Sequence, residues 1–433
     1  MRDETKLLEW LEPDAAKTRQ DALLRRHLKH AFEHSPYYRE TLAPFAGRLS
    51  AITGDTLAEL PTTDKRMFAE RTQDFLAAPQ REISDIVFSS GTTGVPTPVA
   101  YSRADMERLA FNERISLRAC GITPDDTALI TCTLDRCFVA GYAYYLGLTT
   151  LGAAAIRNGI NTVESHAAVM RHLHPTVLVG VPGFLFRLGR HLHETGQSEL
   201  AESVRTLVCA DDPLHDRSMR QLPVTKALES VWNAKAYSTY ASSEIVTSFC
   251  ECTAQQGGHL HPELAVVEIL DERGNRLPVG EVGEVVVTPL QVEAVPFVRF
   301  RTGDMSFLID APCPCGRKSV RLGPILGRRN QMMKVRGTTV YPAAFLNALD
   351  AIPGVAASFV TVRGGEDLSD RVTVTAAVKD NSLTPERLSD LLFATLRLHP
   401  AVELLPEPDI MRRIYNPASH KPRRFFDERE FPR

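Results

Sequence analysis

From Ile83 onward, short apolar runs recur along the chain with amphipathic stretches between them, and this rhythm restricts the fold more than any other feature. The runs are "ISDIVF" (Ile83–Phe88), "TALITC" (Thr127–Cys132), "TVLVGVP" (Thr176–Pro182), "TLVCA" (Thr206–Ala210) and "VWNAKAYSTY" (Val231–Tyr240). Strand-like runs alternating with helical ones predict a layered α/β sheet. The first quarter is helical in pattern, as in "DALLRRHLKHAFEH". Between about Val266 and Leu308 the pattern changes to two strands around "DERGN", which predicts a small antiparallel subdomain. After Asn330 a smaller α+β module follows, with strands at "ASFVTVRG" and "RVTVTAAVK", a helix at "PERLSDLLFATLRLHP" and a basic tail. The expected division is a large N-terminal domain over residues 1–328 and a small C-terminal one over 329–433.

At 433 residues the chain is long for one domain. A formal net charge of -3 gives no electrostatic reason to expect nucleic acid or an anionic membrane as partner. No apolar run approaches the roughly 18 residues a bilayer span requires, and "MRDETKLLEWLEPD" is charged and helical rather than a secretion signal. A cytoplasmic protein is expected, in which the eight cysteines are thiols or metal ligands rather than disulfides.

Between the first run and the helix after it lies "SSGTTGVPTPVAYS" (Ser89–Ser102), with Ser102 placed to cap "RADMERLAFNERISLRA". Taken alone, the loop reads equally as a surface turn and as a phosphate cradle. In the second reading its glycines let N–H groups converge and its hydroxyls add donors. It lacks the Gly-Lys-Ser/Thr of a Walker A loop.

Further motifs follow in order. They are "SPYYRE" (Ser35–Glu40), "LPTTDK" (Leu60–Lys65), "TYASSEI" (Thr239–Ile245), "RFRTGDM" (Arg299–Met305), "LGRRNQMMKVRGTTVYP" (Leu326–Pro342) and "HKPRRFFDER" (His420–Arg429). With the loop they resemble the markers of the adenylate-forming superfamily of acyl-CoA synthetases, luciferases and adenylation domains, and most of all its phenylacetate–coenzyme A ligase branch. The resemblance covers nearly the whole chain. It implies an AMP-forming acid–thiol ligase that activates a carboxylic acid with ATP and Mg²⁺ and passes the acyl group to coenzyme A.

It also implies roles. Ser90, Gly91, Thr92, Thr93 and Gly94 would hold the β- and γ-phosphates, and Glu244 would bind Mg²⁺. Tyr240, Ala241 and Ser243 would border the nucleotide, with Tyr240 against adenine. Asp212 matches an acid near the adenine, and Asp304 would accept the ribose hydroxyls with Arg328 nearby. Lys421 would act on the α-phosphate and carboxylate oxygens in the transition state. The C-terminal domain would be mobile, turning at a hinge so that the loop near Lys334 and Gly337 serves the second half-reaction. Without the resemblance, Glu244 reads as a solvated acid, Tyr240 as core, Asp304 as a turn residue and Lys421 as part of a solvated charge run. The acyl pocket is expected from Phe138, Gly141, Tyr142, Gly183 and Phe184, whose aromatic rings suit an aromatic acid.

Four positions depart from the family pattern. Val95 stands where a lysine is common, Asn330 at the hinge aspartate, Ala241 at the usual glycine, and His420 before the catalytic lysine. The last three keep two rivals open: an adenylating enzyme with a carrier protein, an amine or another nucleophile as acceptor, and a degenerate nucleotide-binding protein without turnover. A homodimer is also left open.

Cys252, His259, Cys313 and Cys315 make a second constellation. Three thiols and an imidazole suit tetrahedral zinc in a structural role, joining the loop after Glu244 to the one before the hinge. Free buried thiols are the alternative, and Cys250 and His261 are neighbours that could substitute as ligands.

Overall fold

The computed structural model describes residues 7–89, 97–335, 338–364, 369–379, 382–415 and 422–429. The chain packs as two compact units. The first takes in residues up to Gln221, Thr225–Thr302 and Ser306–Ile325; the second takes in Leu222–Val224, Gly303–Met305 and residues from Leu326 on.

The alternating runs of the first unit become a six-stranded sheet. Its strands lie in the order Ala154–Arg157, Thr127–Ile130, Val177–Gly180, Thr206–Ala210, Lys235–Ser242, Thr247–Cys250. All neighbours are parallel except the last pair. Val177–Gly180 is buried along its whole length, which is why it reads as an unbroken apolar run. One face is covered by a cluster around Leu178, Leu185, Leu207 and Trp232, the other by one around Leu117, Ile130, Leu148 and Val208.

The strand expected from Val231 starts later. "VWNAKAYSTY" does not begin as a strand: Val231 and Trp232 end the helix Pro223–Trp232, and the strand runs Lys235–Ser242. The break is at Asn233, which takes φ 49°, a left-handed conformation that Asn tolerates well. Trp232 is held in the helix by packing distant in sequence, its Nε1 donating to the Leu185 carbonyl at 3.0 Å.

The helix Arg103–Ala119 starts where Ser102 predicts, closed by a capping box in which Ser102 and Asp105 exchange side-chain to backbone bonds. The strands Ile83–Phe88 and Pro98–Ser102 pair as an antiparallel ribbon before it. Ala265–Leu270 and Gly283–Pro289 pair antiparallel, as "VVEIL" and "GEVVVTP" suggest. In the second unit the strands Ala401–Leu404, Arg371–Val378, Val355–Arg363 and Phe425–Asp427 form a four-stranded sheet. The helices Pro342–Asp350 and Pro385–Leu396 pack on it through Phe345, Leu349, Leu388 and Leu392. No helix among the described residues is long and apolar enough to cross a membrane.

Candidate functional site

Three separated segments of the first unit meet at Glu244. The strand Lys235–Ser242 delivers Ser243 and Glu244 just before the chain turns back at Val246, which takes φ 49°. Glu244 is 2% exposed, and Lys65 brings its Nζ to 2.8 Å from Oε1. Lys65 opens the helix Lys65–Glu70, whose start is fixed by Asp64 accepting from the Met67 N–H at 2.8 Å. Thr63 and Asp64 are anchored in turn by parallel pairing with Phe300 and Arg301. From the third segment, the Tyr101 hydroxyl donates to the Ser243 carbonyl at 2.7 Å. Burial, then the charge of Glu244, push that hydroxyl well above its usual range, so it stays a donor. Tyr101 lies on the strand that follows the Gly/Thr-rich loop, and the Ser89 N–H donates to the Thr97 carbonyl at 3.0 Å across the loop's base.

The Lys65–Glu244 contact is an ion pair without hydrogen-bond alignment. Oε1 of Glu244 is buried and has no hydrogen-bond donor among the described residues. A buried carboxylate oxygen with free acceptor capacity fits a hard cation such as Mg²⁺. Lys65 lay outside the expected site residues. No sequence signal singles it out; Val95, where a lysine is common, shows only that the loop lacks a cation of its own.

Ser90, Gly91, Thr92, Thr93, Gly94, Gly337, His420 and Lys421 lie outside the described residues. Tyr240 is half-buried and stacks on Phe249 at 6.4 Å between centroids; Ala241 is exposed and pairs with Ser248. Asp212 is exposed in a tight turn after Thr206–Ala210, its N–H donating to the Ala210 carbonyl at 3.0 Å. In the second unit Asp304 pairs in register with Arg328 and meets its Nε at 3.3 Å. Lys334 donates its N–H to Asp370 at 2.7 Å and its Nζ to Thr339 at 2.6 Å. Asn330 offers its carbonyl to Arg429 at 3.3 Å, where Arg429 also binds Met332, Asp370 and Asp427.

Of the residues expected to line the acyl pocket, Phe138 and Tyr142 border a cavity of about 620 Å³ together with Ile86, Met106, Arg103 and Asp85. Gly141 lets the helix Ala140–Leu151 start close to the preceding turn, since a Cβ there would lie 2.3 Å from the Thr133 carbonyl oxygen. Gly183 and Phe184 sit elsewhere, on the helix Pro182–Glu194, with the Phe184 ring edge-on to His166 at 5.1 Å.

The sulfur cluster forms as the spacing suggests. The donor atoms of Cys252, His259, Cys313 and Cys315 all lie within 4.8 Å of one another. Cys252 and Cys313 stand 3.5 Å apart, and the Cys315 sulfur is 3.3 Å from Nε2 of His259. Donors ~2.3 Å from a tetrahedral zinc stand about 3.7 Å from each other, so the cluster has the right size. Ser319 holds Nδ1 of His259 at 3.0 Å, which leaves Nε2 facing the sulfurs. Burial brings His259 down to about 3, keeping the imidazole neutral and able to ligate. Burial and the two neighbouring sulfurs push the Cys252 thiol well up, so a thiolate there calls for a cation. His261 points instead to Glu9 and Ser116, and Cys250 to Cys120.

A family model described as AMP-binding enzyme matches residues 29–292, well over half of the chain. The chain is 29% identical over 402 residues to a phenylacetate-coenzyme A ligase of Thermus thermophilus, covering 90% of this chain and 89% of that one. It is 27% identical over 393 residues to the enzyme of that name from Escherichia coli, covering 87% and 86%. Among solved structures, a 2-hydroxyisobutyryl-CoA ligase in its postadenylation state superposes with a TM-score of 0.85 at 20% identity, covering 98% of this chain and 92% of that one.

Proposed function

The chain belongs to the AMP-binding enzyme family, and from that premise we propose that it joins a carboxylic acid, an aromatic one, to coenzyme A in two steps. In the first, a carboxylate oxygen attacks the α-phosphorus of ATP, the bond to the bridging oxygen breaks, and pyrophosphate leaves. In the second, the thiol of coenzyme A attacks the acyl carbon and AMP leaves. The observation that carries this reading is the convergence on Glu244 of the Lys65 helix, the ribbon that frames the Gly/Thr-rich loop, and the "YASSE" turn.

Catalysis of this kind is mostly positioning and charge stabilisation. Glu244 would hold Mg²⁺, which neutralises phosphate charge when bound. Lys65, already beside that carboxylate, would supply the ammonium that the loop lacks at Val95. Ser90, Thr92, Thr93 and Gly94 would hold the β- and γ-phosphates, Tyr240 would cover the adenine, and Asp304 would accept the ribose hydroxyls. Lys421 would act in adenylation from a mobile domain of residues 329–433, and Lys334 would serve the thiol step. Phe138 and Tyr142 would border the acid. Zinc on Cys252, His259, Cys313 and Cys315 would be structural, its support being the size of the cluster and the chemistry of its donors.

The test is exchange of labelled pyrophosphate into ATP across a panel of aromatic and aliphatic acids, followed by product analysis with and without coenzyme A. Acid-dependent exchange together with a thioester that appears only with coenzyme A is the expected result. Exchange without a thioester would move the reading to another acceptor, and no exchange with any acid would remove the activity.

A further inference from the structure

The N-terminal turn Leu8–Trp10 lies far in sequence from the sulfur cluster, yet it is built into its surroundings. Glu9 is 1% exposed. Its Oε1 accepts from Nε of Arg317 at 2.8 Å, and its Oε2 meets Nδ1 of His261 at 3.0 Å. Each partner sits two positions beyond a cluster donor, Arg317 after Cys315 and His261 after His259. The backbone repeats the connection, since the Lys318 N–H donates to the Glu9 carbonyl at 2.7 Å. The Arg317 guanidinium lies over the Trp10 ring at 4.7 Å, and a Cβ on Gly316 would touch that ring at 3.5 Å. On the other side Nε2 of His261 meets the Ser116 hydroxyl at 3.1 Å, and Ser116 meets Ser248 at 3.3 Å.

A buried carboxylate with both oxygens engaged is costly unless those bonds hold. Here both bonds run to side chains that border the loops bearing the donors. Groups that orient metal ligands from behind typically change metal affinity 10–100-fold when removed. We infer that the N-terminal segment is a working part of the metal centre: Glu9 is a positioning residue that fixes Arg317 and His261, and through them the Cys313–Cys315 loop and the His259 strand, so that metal and segment hold each other in place. The inference rests on the reading of the cluster as a zinc site.

Trp10 makes the coupling measurable. The chain has two tryptophans, and the other, Trp232, is 1% exposed in the core under the six-stranded sheet. The experiment uses the full-length zinc-loaded protein. Zinc affinity is measured by competition with a chromophoric chelator for the wild type, for Glu9→Gln, and for Glu12→Gln as a control on the exposed neighbouring carboxylate. In parallel, zinc is stripped from the wild type while tryptophan emission and hydrogen exchange of the segment from Leu8 to Glu12 are followed.

Glu9→Gln is expected to weaken zinc binding at least tenfold, with Glu12→Gln unchanged. Stripping is expected to shift Trp10 emission to the red and to speed exchange in that segment. Wild-type affinity in Glu9→Gln, or a segment unmoved when bound zinc is removed, overturns the latch and leaves the zinc site standing. Wild-type protein that binds no zinc overturns both. The stripping measurement keeps the test decisive even where Glu9→Gln does not fold.

Discussion

Glu244 and Lys65 show how one pair can serve both stability and chemistry. A carboxylate 2% exposed is costly to bury without a partner, and Lys65, whose side chain is 23% exposed, is the partner at 2.8 Å. Lys65→Met should therefore destabilise the protein by about 2 kcal/mol, below the range for fully buried pairs because water reaches the lysine. Glu244→Gln alone should cost less, since the ammonium it strands is partly solvated. The double variant should be more stable than the sum of the two losses predicts, by about 1 kcal/mol, as contacting residues couple. Pyrophosphate exchange should behave differently, falling at least a hundredfold in each single variant and staying low in the double one. Denaturant melts and exchange rates on the same four proteins decide this. Additive stabilities would mean that the two side chains do not pair, and undiminished exchange in Lys65→Met would confine the lysine to a structural role. Glu244 was legible in "YASSE" by resemblance. Lys65 was not, because a lysine one position after a capping aspartate looks solvated until the fold brings it against a residue far along the chain.

Elements carry constraints that composition hides. The helices Arg103–Ala119 and Ala140–Leu151 approach each other through Gly147, where a Cβ would lie 2.4 Å from Cβ of Glu113 and 2.9 Å from its carbonyl carbon. Backbone cannot yield as a flexible side chain does, so Gly147→Ala should force the helices apart at a cost of about 2 kcal/mol. Gly183, expected at the acyl pocket, has nothing within 4 Å of its Cβ position and stands in the first turn of a helix. Gly183→Ala should be neutral or stabilise by up to about 0.5–1 kcal/mol, because alanine is the better helix former. Chemical melts of the two variants test the contrast, and equal effects would refute it. The strands were readable because buried parallel strands are continuous apolar runs, as in "VLVG". The start of "VWNAKAYSTY" reads as strand because Trp232 and Val231 favour strand locally, whereas packing of the Trp232 indole near Gly189 and Leu185 settles the helix. Gly147 gave no warning at all, since glycine in a helical pattern announces neither a turn nor a close approach.

Across the whole molecule, family and layered architecture were legible because motif order and strand rhythm are properties of the sequence itself. The network around Glu9 was not, because the burial of a carboxylate near the N-terminus depends on partners that only folding assembles. Other buried titratable groups obey the same logic and set the response to pH. His27 is 3% exposed and donates through Nε2 to the Phe297 carbonyl, 2.9 Å away, and burial lowers it from 6.5 to about 4. His166 is likewise lowered to about 4, by burial. An imidazole kept neutral in the fold but free to charge when unfolded binds its proton more readily in the unfolded state. Stability from such a group is fully present above pH 6.5 and is lost as pH falls toward 4, by about 3 kcal/mol for His27 at 1.36 kcal/mol per pKa unit. Glu113 works in the opposite direction. Burial raises it from 4.5 to about 7, so its folded form holds a proton that the unfolded chain has released, and acidification through that window favours the fold. Between pH 6.5 and 4.5 His27, His166 and a metal-free His259 draw unfolding free energy down as pH falls, against Glu113 and Glu263, whose carboxyls burial raises, so the change made by one histidine is the clean reading. His27→Gln, which can keep a donor near the Phe297 carbonyl, should remove one proton from that slope whatever it does to stability at pH 7. Urea unfolding of both proteins between pH 7 and 4 reads the slope directly, and an unchanged slope in His27→Gln would show that His27 is not the neutral buried group that the fold requires.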